Sequence, residues 1–173
     1  GNLTLTNING LCRIALDKLK KTYEQDIQEK NIRIVFDNLT LSLMMEVNVE
    51  QFSKVLAGIL KNSMYALLKK SETVTFSPEI FLGLKVNKDM LEITIRDNGS
   101  GIDENIKDKI FAPFFTTKTT GEAAGVGLYL CREIVQNHRG TIEVESKKGE
   151  YTQFLITIPV YQPKTITPPK EEE

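Results

Sequence analysis

The sequence predicts an α+β fold, a two-layer sandwich in which helices cover one face of a mixed, mostly antiparallel sheet. Three observations support this. Apolar residues recur with helical spacing in long stretches that begin near residues 7, 48 and 125. Apolar and polar residues alternate in two hairpins, at residues 80–95 and 141–159. Two further short strands fall between the first two helices, so strands and helices share one core.

Composition limits the class of protein. The chain has 173 residues, of which 40% are hydrophobic and 26% charged, as in a globular domain with its own core. A net charge of −1 argues against a nucleic-acid partner. No apolar run approaches the ~18–20 residues of a membrane span, so no membrane contact is expected. The two cysteines follow no metal or disulfide pattern, which favours a reducing cytoplasm.

The first half of the chain supplies two helices and two strands. The predicted elements are a helix over 7–28, strands over 32–36 and 41–47, and a long helix over 48–70. Asn7 and Asn48 are suitable N-caps, since their side chains can accept from the free N–H groups of a first turn. Gln51 follows Asn48 at the capping-box position.

The second half follows the same logic. The predicted elements are a hairpin of strands 80–86 and 90–95, a short helix over 103–110 capped by Asp103, a helix over 125–137, and a hairpin of strands 141–145 and 153–159. Residues 71–79 are polar, contain Pro78 and are predicted as a loop. We expect residues 1–6 to be a remnant of a linker or of tag removal, residues 7–160 to be the domain, and residues 161–173 to be a disordered tail.

The stretch from Asp97 to Leu128 carries the strongest functional pattern. Asp97 ends a predicted strand and precedes a turn with two glycines, which lets backbone approach a flat ligand closely. Gly125 and Gly127 precede a helix, whose free N–H groups and positive dipole end favour an anion. A flat pocket and a phosphate-sized pocket together indicate a nucleotide. Taken singly, Asp97 could cap its turn and the second glycine pair could only begin a helix.

Three further features lie before or between the two glycine turns. Asn62 lies inside a helix, where asparagine is a poor helix former, so it is either a solvated amide or an oxygen ligand for Mg²⁺. The aromatic cluster Phe111, Phe114 and Phe115 is either core or ligand contact. Lys118 by itself is interpreted as a solvated charge of the polar run that follows, and only the resemblance described next implies a place near phosphates.

Together these residues resemble the catalytic ATP-binding domain of sensor histidine kinases, in the superfamily that also holds gyrase, chaperone and mismatch-repair ATPases. The resemblance covers residues 7–160 and implies the Bergerat-type ATP-binding fold. Its four motifs stand in order: the N box at Asn62, the G1 box at Asp97–Gly101, the F box at Phe111–Phe115 and the G2 box at Gly125–Leu128. The run from Phe114 to Lys118 is similar to sensor kinases of the nitrogen-regulatory type.

The resemblance implies a role for each motif. Asp97 would accept a hydrogen bond from the adenine amino group, aided by water and Thr152, and Asn62 would hold Mg²⁺ against the triphosphate. Residues 116–124 would be a mobile lid. The nucleotide-contacting residues implied are Asn62, Tyr65, Asp97, Gly99, Gly101, Ile102, Phe114, Lys118, Gly125, Val126, Gly127, Leu128 and Thr152.

Three positions depart from the family pattern. Gly58 stands one helical turn before Asn62, where relatives carry a polar or acidic residue that in the hydrolases is a glutamate base. Its absence argues against self-contained ATP hydrolysis. Tyr65 replaces a frequent basic residue, for which Lys118 could compensate. Ala123 replaces the first glycine of the usual three in the G2 box.

The chain also lacks a phosphoacceptor of the expected kind. Its one histidine, His138, lies in the family's closing segment and is interpreted as structural. The resemblance therefore implies ATP and ADP as ligands, an upstream dimerisation domain that bears the histidine, and a response regulator as partner. The alternatives are an ATP-hydrolysing switch, which Gly58 disfavours, and a regulatory module that binds nucleotide without transfer, which Gly58 and Ala123 favour. An anti-sigma-type serine kinase fits the run from Phe114 to Lys118 less well.

Overall fold

The computed structural model describes residues 2–113, 115 and 127–161. In these ranges the strands are β1 (Thr4–Asn7), β2 (Arg33–Asp37), β3 (Met44–Val47), β4 (Glu79–Asn87), β5 (Met90–Asp97), β6 (Thr141–Lys147) and β7 (Tyr151–Pro159). The helices are α1 (Ile8–Thr22), α2 (Glu24–Lys30), α3 (Val49–Ser71) and α4 (Leu128–Asn137). Within the described residues, no helix is both long enough and apolar enough to cross a membrane.

A five-stranded sheet with the order β2-β4-β5-β7-β6 forms one layer. β2 runs parallel to β4, and every other neighbouring pair in this sheet is antiparallel. The register aligns four residues in one row across the sheet: Ile80 of β4, Asp97 of β5, Thr152 of β7 and Ser146 of β6. The α+β prediction with a mixed, mostly antiparallel sheet is confirmed.

The core lies between this sheet and α1, α3 and α4. Inward residues of α3 such as Phe52, Leu56 and Ile59 are almost fully buried. They meet the buried residues of the central strands, which alternate with mostly half-buried ones along β5 and β7 as period-two geometry requires. Because of this alternation, a polar residue at an inward position near the end of a strand lies on the face of the sheet that the helices cover.

A second, two-stranded sheet was not predicted. β1 pairs antiparallel with β3, with Thr4 opposite Val47 and Asn7 opposite Met44. Most of β1 therefore falls within residues 1–6, which the sequence placed outside the domain. Four residues with mixed burial leave little periodicity to detect, so the pairing with β3 is a tertiary effect.

Helix boundaries differ from prediction at two places. The helix expected over 7–28 is divided at Tyr23, whose backbone leaves helical geometry at φ −111° and ψ 25° while its ring packs against the core. The short helix expected over 103–110 is only a 3₁₀ turn at Lys107–Lys109. There Asp103 accepts from the N–H of Asn105, two residues on, which stabilises a local turn in place of a longer helix. Asn7 and Asn48 cap α1 and α3 as predicted.

Candidate functional site

Asp97 is a buried carboxylic acid at the end of β5. The buried face of this strand carries Leu91, Ile93 and Ile95, and Asp97 is the next residue in that alternation. Its side chain is only 2% exposed and lies on the side of the sheet that α3 covers. A charged group is rarely placed in such a position without partners, so the surroundings of Asp97 determine its protonation.

Burial raises the pKa of Asp97 from 3.8 to about 7. Four interactions oppose this shift: a hydrogen bond of 2.9 Å from the N–H of Gly99, the hydroxyl of Ser63, and the charges of Lys70 and Arg96. Desolvation outweighs all of them. Near neutral pH the carboxyl group therefore exists in both forms, and a ligand that donates a hydrogen bond to it favours the charged form.

The turn that follows Asp97 packs directly on α3. The N–H of Ser100 donates to the carbonyl oxygen of Ala66 at 3.1 Å, and the Lys70 ammonium donates to the carbonyl oxygen of Asn98 at 2.9 Å. The Asn98 side chain accepts from the N–H of Glu79 and donates to the carbonyl of Ser77, which connects the turn to the start of β4. These bonds fix the turn between the sheet and α3.

Both glycines of the turn are required by the packing of the protein itself. A Cβ on Gly99 would lie 2.6 Å from the backbone of Ala66. A Cβ on Gly101, whose φ is +68°, would meet the carbonyl oxygen of Lys147 in the β6–β7 turn. That turn also holds the loop in place, because the N–H of Gly149 donates to the carbonyl of Ser100 at 2.6 Å. Close approach of a ligand to these glycines stays a prediction.

Thr152 joins Asp97 from the neighbouring strand. The two residues are direct partners in the β5–β7 register, and Thr152 is 5% exposed. Its hydroxyl oxygen lies 3.1 Å from that of Ser146, which also donates to the carbonyl of Tyr151 and accepts from the N–H of Ile102. The predicted residues Asp97, Gly99, Gly101, Ile102 and Thr152 are thus brought together at one end of the sheet.

Asn62 and Tyr65 lie on α3, three residues apart and half-buried. Residues at this spacing are neighbours on a helix surface. Gly58 precedes Asn62 by one turn and supplies no side chain there. None of the contacts described above joins Asn62 or Tyr65 to Asp97, so their part in a common site stays a prediction.

The start of α4 can be located through its other end. The C-cap of α4, His138, contacts the start of α3 at Asn48, and the two helices pack together. Ten residues of α4 span about 15 Å, so Gly127 and Leu128 lie about that far along α4 from the Asn48 contact. Gly127 is the N-cap, and no atom of the described residues lies within 4 Å of where its Cβ would stand.

Several predicted site residues lie outside the described part of the chain: Phe114, Lys118, Ala123, Gly125, Val126 and the proposed lid over 116–124. Of the aromatic cluster, Phe111 packs edge-on against Phe154 with ring centroids 6.4 Å apart. Phe115 is partly buried against the core. The core interpretation of the aromatic cluster is therefore confirmed for Phe111 and Phe115.

His138 is a structural residue. It is 2% exposed, its Nε2 accepts from the N–H of Asn48 at 3.0 Å, and its Nδ1 lies 2.8 Å from the carbonyl of Ile134. These contacts require the tautomer with hydrogen on Nδ1. The ring also packs edge-on against Phe52. With both nitrogens occupied, His138 ties the end of α4 to the start of α3.

The sequence did not reveal four residues that shape the site: Ser63, Ala66, Lys70 and Ser146. The first three recur at helical spacing on the α3 face that meets the glycine turn, and this spacing was the available signal. Ser146 could not be found in this way, because its importance comes from the register of β6 with β7. Among the described residues, no cluster of acidic, histidine or cysteine side chains could hold a metal ion.

Comparison with known proteins gives one family match. The model of the family described as "Histidine kinase-, DNA gyrase B-, and HSP90-like ATPase" matches residues 48–162. The chain is similar to cyanobacterial phytochrome A of Nostoc sp., at 35% identity over 84% of the chain and 18% of that protein. It is also similar to the sensor histidine kinase ZraS of Salmonella typhi, at 28% identity over 91% of the chain and 31% of that protein. The chain thus spans less than a third of either relative.

Solved structures show the same likeness. The nucleotide-free catalytic domain of the histidine kinase ThkA superposes with a TM-score of 0.74 at 28% identity, covering 92% of this chain and 96% of that domain. ThkA in complex with the response regulator protein TrrA superposes with a TM-score of 0.68 at 26% identity, covering 92% of this chain and 42% of the ThkA chain. The similarity to the nitrogen-regulatory type stays a prediction.

Proposed function

This chain belongs to the family of histidine kinase-, DNA gyrase B- and HSP90-like ATPases, and we propose that it is the ATP-binding domain of a sensor histidine kinase. In this proposal it presents Mg-ATP so that the γ-phosphate passes to a histidine on a separate dimerisation domain. The supporting comparisons are the likeness to ZraS and to the catalytic domain of ThkA.

The observation that carries the proposal is the paired burial of Asp97 and Thr152 beside a glycine turn. Two acceptor side chains sit at the end of the sheet, facing α3, at a place fixed by Gly99 and Gly101. The amino group of adenine is a donor that a buried carboxylate can accept, and this interaction would offset part of the desolvation that raises the pKa of Asp97. The base would therefore enter with its amino group toward Asp97.

The phosphates would extend toward the start of α4. Among the described residues nothing crowds Gly127, and the first N–H groups of α4 have no acceptor within their own helix. The proposal assigns Gly125, Val126, Leu128 and Lys118 to the same end. Phosphoryl transfer in such a site is mainly positioning and charge stabilisation, without a protein nucleophile in this domain.

Mg²⁺ would be held by Asn62 and the nucleotide. The protein would supply few ligands to the ion: one amide oxygen, from Asn62 on α3, and no side chain from Gly58. Mg²⁺ usually keeps several waters and takes one or two protein oxygens together with substrate phosphates. When bound, the ion neutralises developing charge on the phosphates. Gly58 also leaves α3 without a base for water at this position, which disfavours hydrolysis.

The phosphoacceptor would come from another domain. His138 is buried with both ring nitrogens engaged, and it lies eleven residues from Gly127, on the order of 16 Å along α4. An acceptor must instead stand within a few ångströms of the γ-phosphate. The histidine-bearing domain is placed upstream of this chain in the proposal. A response regulator is the proposed recipient, because ThkA binds the response regulator TrrA.

Calorimetry with ADP tests the nucleotide site. Asp97→Asn should cost about 1–3 kcal/mol of binding free energy, because one acceptor of the buried pair loses its charge. Asp89→Asn, in the exposed turn between β4 and β5, is the matched control and should bind as the unmodified chain does. Equal ADP affinity in all three proteins would overturn the assignment of Asp97.

Transfer is tested with labelled ATP and Mg²⁺. The chain alone should acquire no acid-labile label, and adding the histidine-bearing domain in trans should label that domain. ADP binding without any transfer to the added domain would favour the regulatory-module alternative. Label on this chain alone, lost in His138→Ala, would show that the histidine is misassigned.

A further inference from the structure

Ser63 carries an unpaired buried hydroxyl. Among the described residues it is the only buried side-chain nitrogen or oxygen without a hydrogen-bond partner, and the residue is 1% exposed. Leaving a hydroxyl buried and unbonded is unfavourable, so native proteins rarely do so without a reason. An atom of this kind facing a ligand site indicates that its partner arrives with the ligand.

The hydroxyl of Ser63 faces Asp97. Ser63, Ala66 and Lys70 recur along the face of α3 that contacts the glycine turn, where Ala66 accepts from Ser100 and Lys70 donates to Asn98. The Ser63 hydroxyl is close enough to Asp97 to act as a weak hydrogen-bond donor that lowers the pKa of that carboxyl. The contact does not reach full hydrogen-bond geometry, so the hydroxyl hydrogen can turn from the carboxylate to a ligand atom beside it.

The other side chains at this point offer only acceptors. Ser146 has one hydroxyl hydrogen, and it donates that hydrogen to the carbonyl of Tyr151 at 2.7 Å. The contact of 3.1 Å between the hydroxyls of Ser146 and Thr152 must then use the hydrogen of Thr152. Thr152 is left with lone pairs, and the carboxylate of Asp97 accepts. Ser63 is therefore the side-chain donor of this group that a ligand acceptor can engage.

We propose that Ser63 takes part in recognising the base, by donating a hydrogen bond to ring nitrogen N1 of a 6-aminopurine whose amino group donates to Asp97. The bond is made directly or through one water. This inference rests on the proposed adenine-nucleotide function and adds a residue to it. Adenine presents a donor beside an acceptor on this edge, which matches the Asp97 acceptor beside the Ser63 donor. Guanine presents an oxygen to Asp97, which repels the carboxylate.

A double-mutant cycle that combines a protein variant with a nucleotide analogue isolates the hydrogen bond between Ser63 and N1. Calorimetry compares ADP with 1-deaza-ADP, in which a C–H replaces N1, on the unmodified chain, on Ser63→Ala and on Ser53→Ala. The unmodified chain and the Ser53→Ala control, a serine elsewhere on α3, should lose about three- to tenfold in affinity for the deaza nucleotide. Ser63→Ala should bind both nucleotides equally, since the donor is already absent.

Ser63→Ala should also leave the unfolding equilibrium of the ligand-free chain unchanged or shifted toward the folded state, because it removes an unpaired hydroxyl. A shift of more than about tenfold toward the unfolded state would mean that the hydroxyl is already bonded, and would overturn the proposal. The proposal would also be overturned if Ser63→Ala and the unmodified chain lost the same affinity when 1-deaza-ADP replaced ADP. That result would leave the proposed binding of adenine nucleotides in place. Failure of the unmodified chain to bind ADP would instead refute the proposed function itself.

Discussion

Asp97 and Thr152 are direct cross-strand partners in the β5–β7 ladder, and both are buried on the face that the helices cover. Asp97 is the last inward residue of an otherwise apolar row on β5, and Thr152 is the first inward residue of such a row on β7. The same alternation that builds the core thus delivers two polar groups to one place. Desolvation there raises the pKa of Asp97, while the fixed turn keeps its ligand-facing side in position.

The titration of Asp97 should make the stability of the ligand-free chain depend on pH. Burial raises its pKa from 3.8 to about 7, so the folded state binds the proton more tightly than the unfolded state. This contribution is fully present below pH 4 and is lost as pH rises to about 7. Asp97→Asn removes it. In urea denaturation, the variant should gain stability relative to the unmodified chain between pH 4 and pH 8, by an amount on the order of a few kcal/mol. A constant difference across that range would contradict the burial argument.

The two left-handed glycines in neighbouring turns separate backbone strain from steric contact. Gly149→Ala places a Cβ at φ +82° where it contacts none of the described residues, and it should destabilise by about 1–2 kcal/mol from backbone strain alone. Gly101→Ala carries similar strain at φ +68° and adds a collision with the carbonyl of Lys147. Its cost should exceed that of Gly149→Ala by about 1–3 kcal/mol. Equal costs, measured by thermal or urea denaturation, would show that the β6–β7 turn moves freely away from the glycine loop.

Gly127→Ala tests the approach of phosphates to α4. Because Gly127 has an ordinary φ of −63° and a Cβ there would contact none of the described residues, the stability of the chain should change by less than about 1 kcal/mol. A methyl group at this N-cap should hinder phosphate oxygens, with a loss of about fivefold in ADP affinity. Adenosine, which has no phosphates, is the control ligand and should bind equally to both proteins. A parallel loss for adenosine would indicate a change in the base site.

His138→Ala should weaken the fold without removing the nucleotide site. It leaves the N–H of Asn48 and the carbonyl of Ile134 without their imidazole partner, at a cost of about 1–3 kcal/mol. Glutamine can replace part of this pairing, so the stability of His138→Gln should lie between that of the unmodified chain and that of His138→Ala. Denaturation measures the cost, and calorimetry on the folded proteins should give unchanged ADP affinity. A variant that keeps full stability but loses ADP binding would place His138 in the ligand site.

The sequence by itself determined the fold class and the residues at strand and helix ends. These features are local patterns: the period-two alternation in β5 and β7, the Asn48 cap of α3 and the turn glycines. Each can be recognised within a short stretch of sequence, because it depends only on residue type and spacing. Only the tertiary structure decided that Ser63 and Lys70 lie near Asp97 and that Ser146 bonds to Thr152. It also decided that α3 and the end of β6 require Gly99 and Gly101. It also formed β1 and divided the first helix at Tyr23. These features depend on contacts between residues far apart in the chain. Short-range sequence patterns do not show which distant segments will pack together.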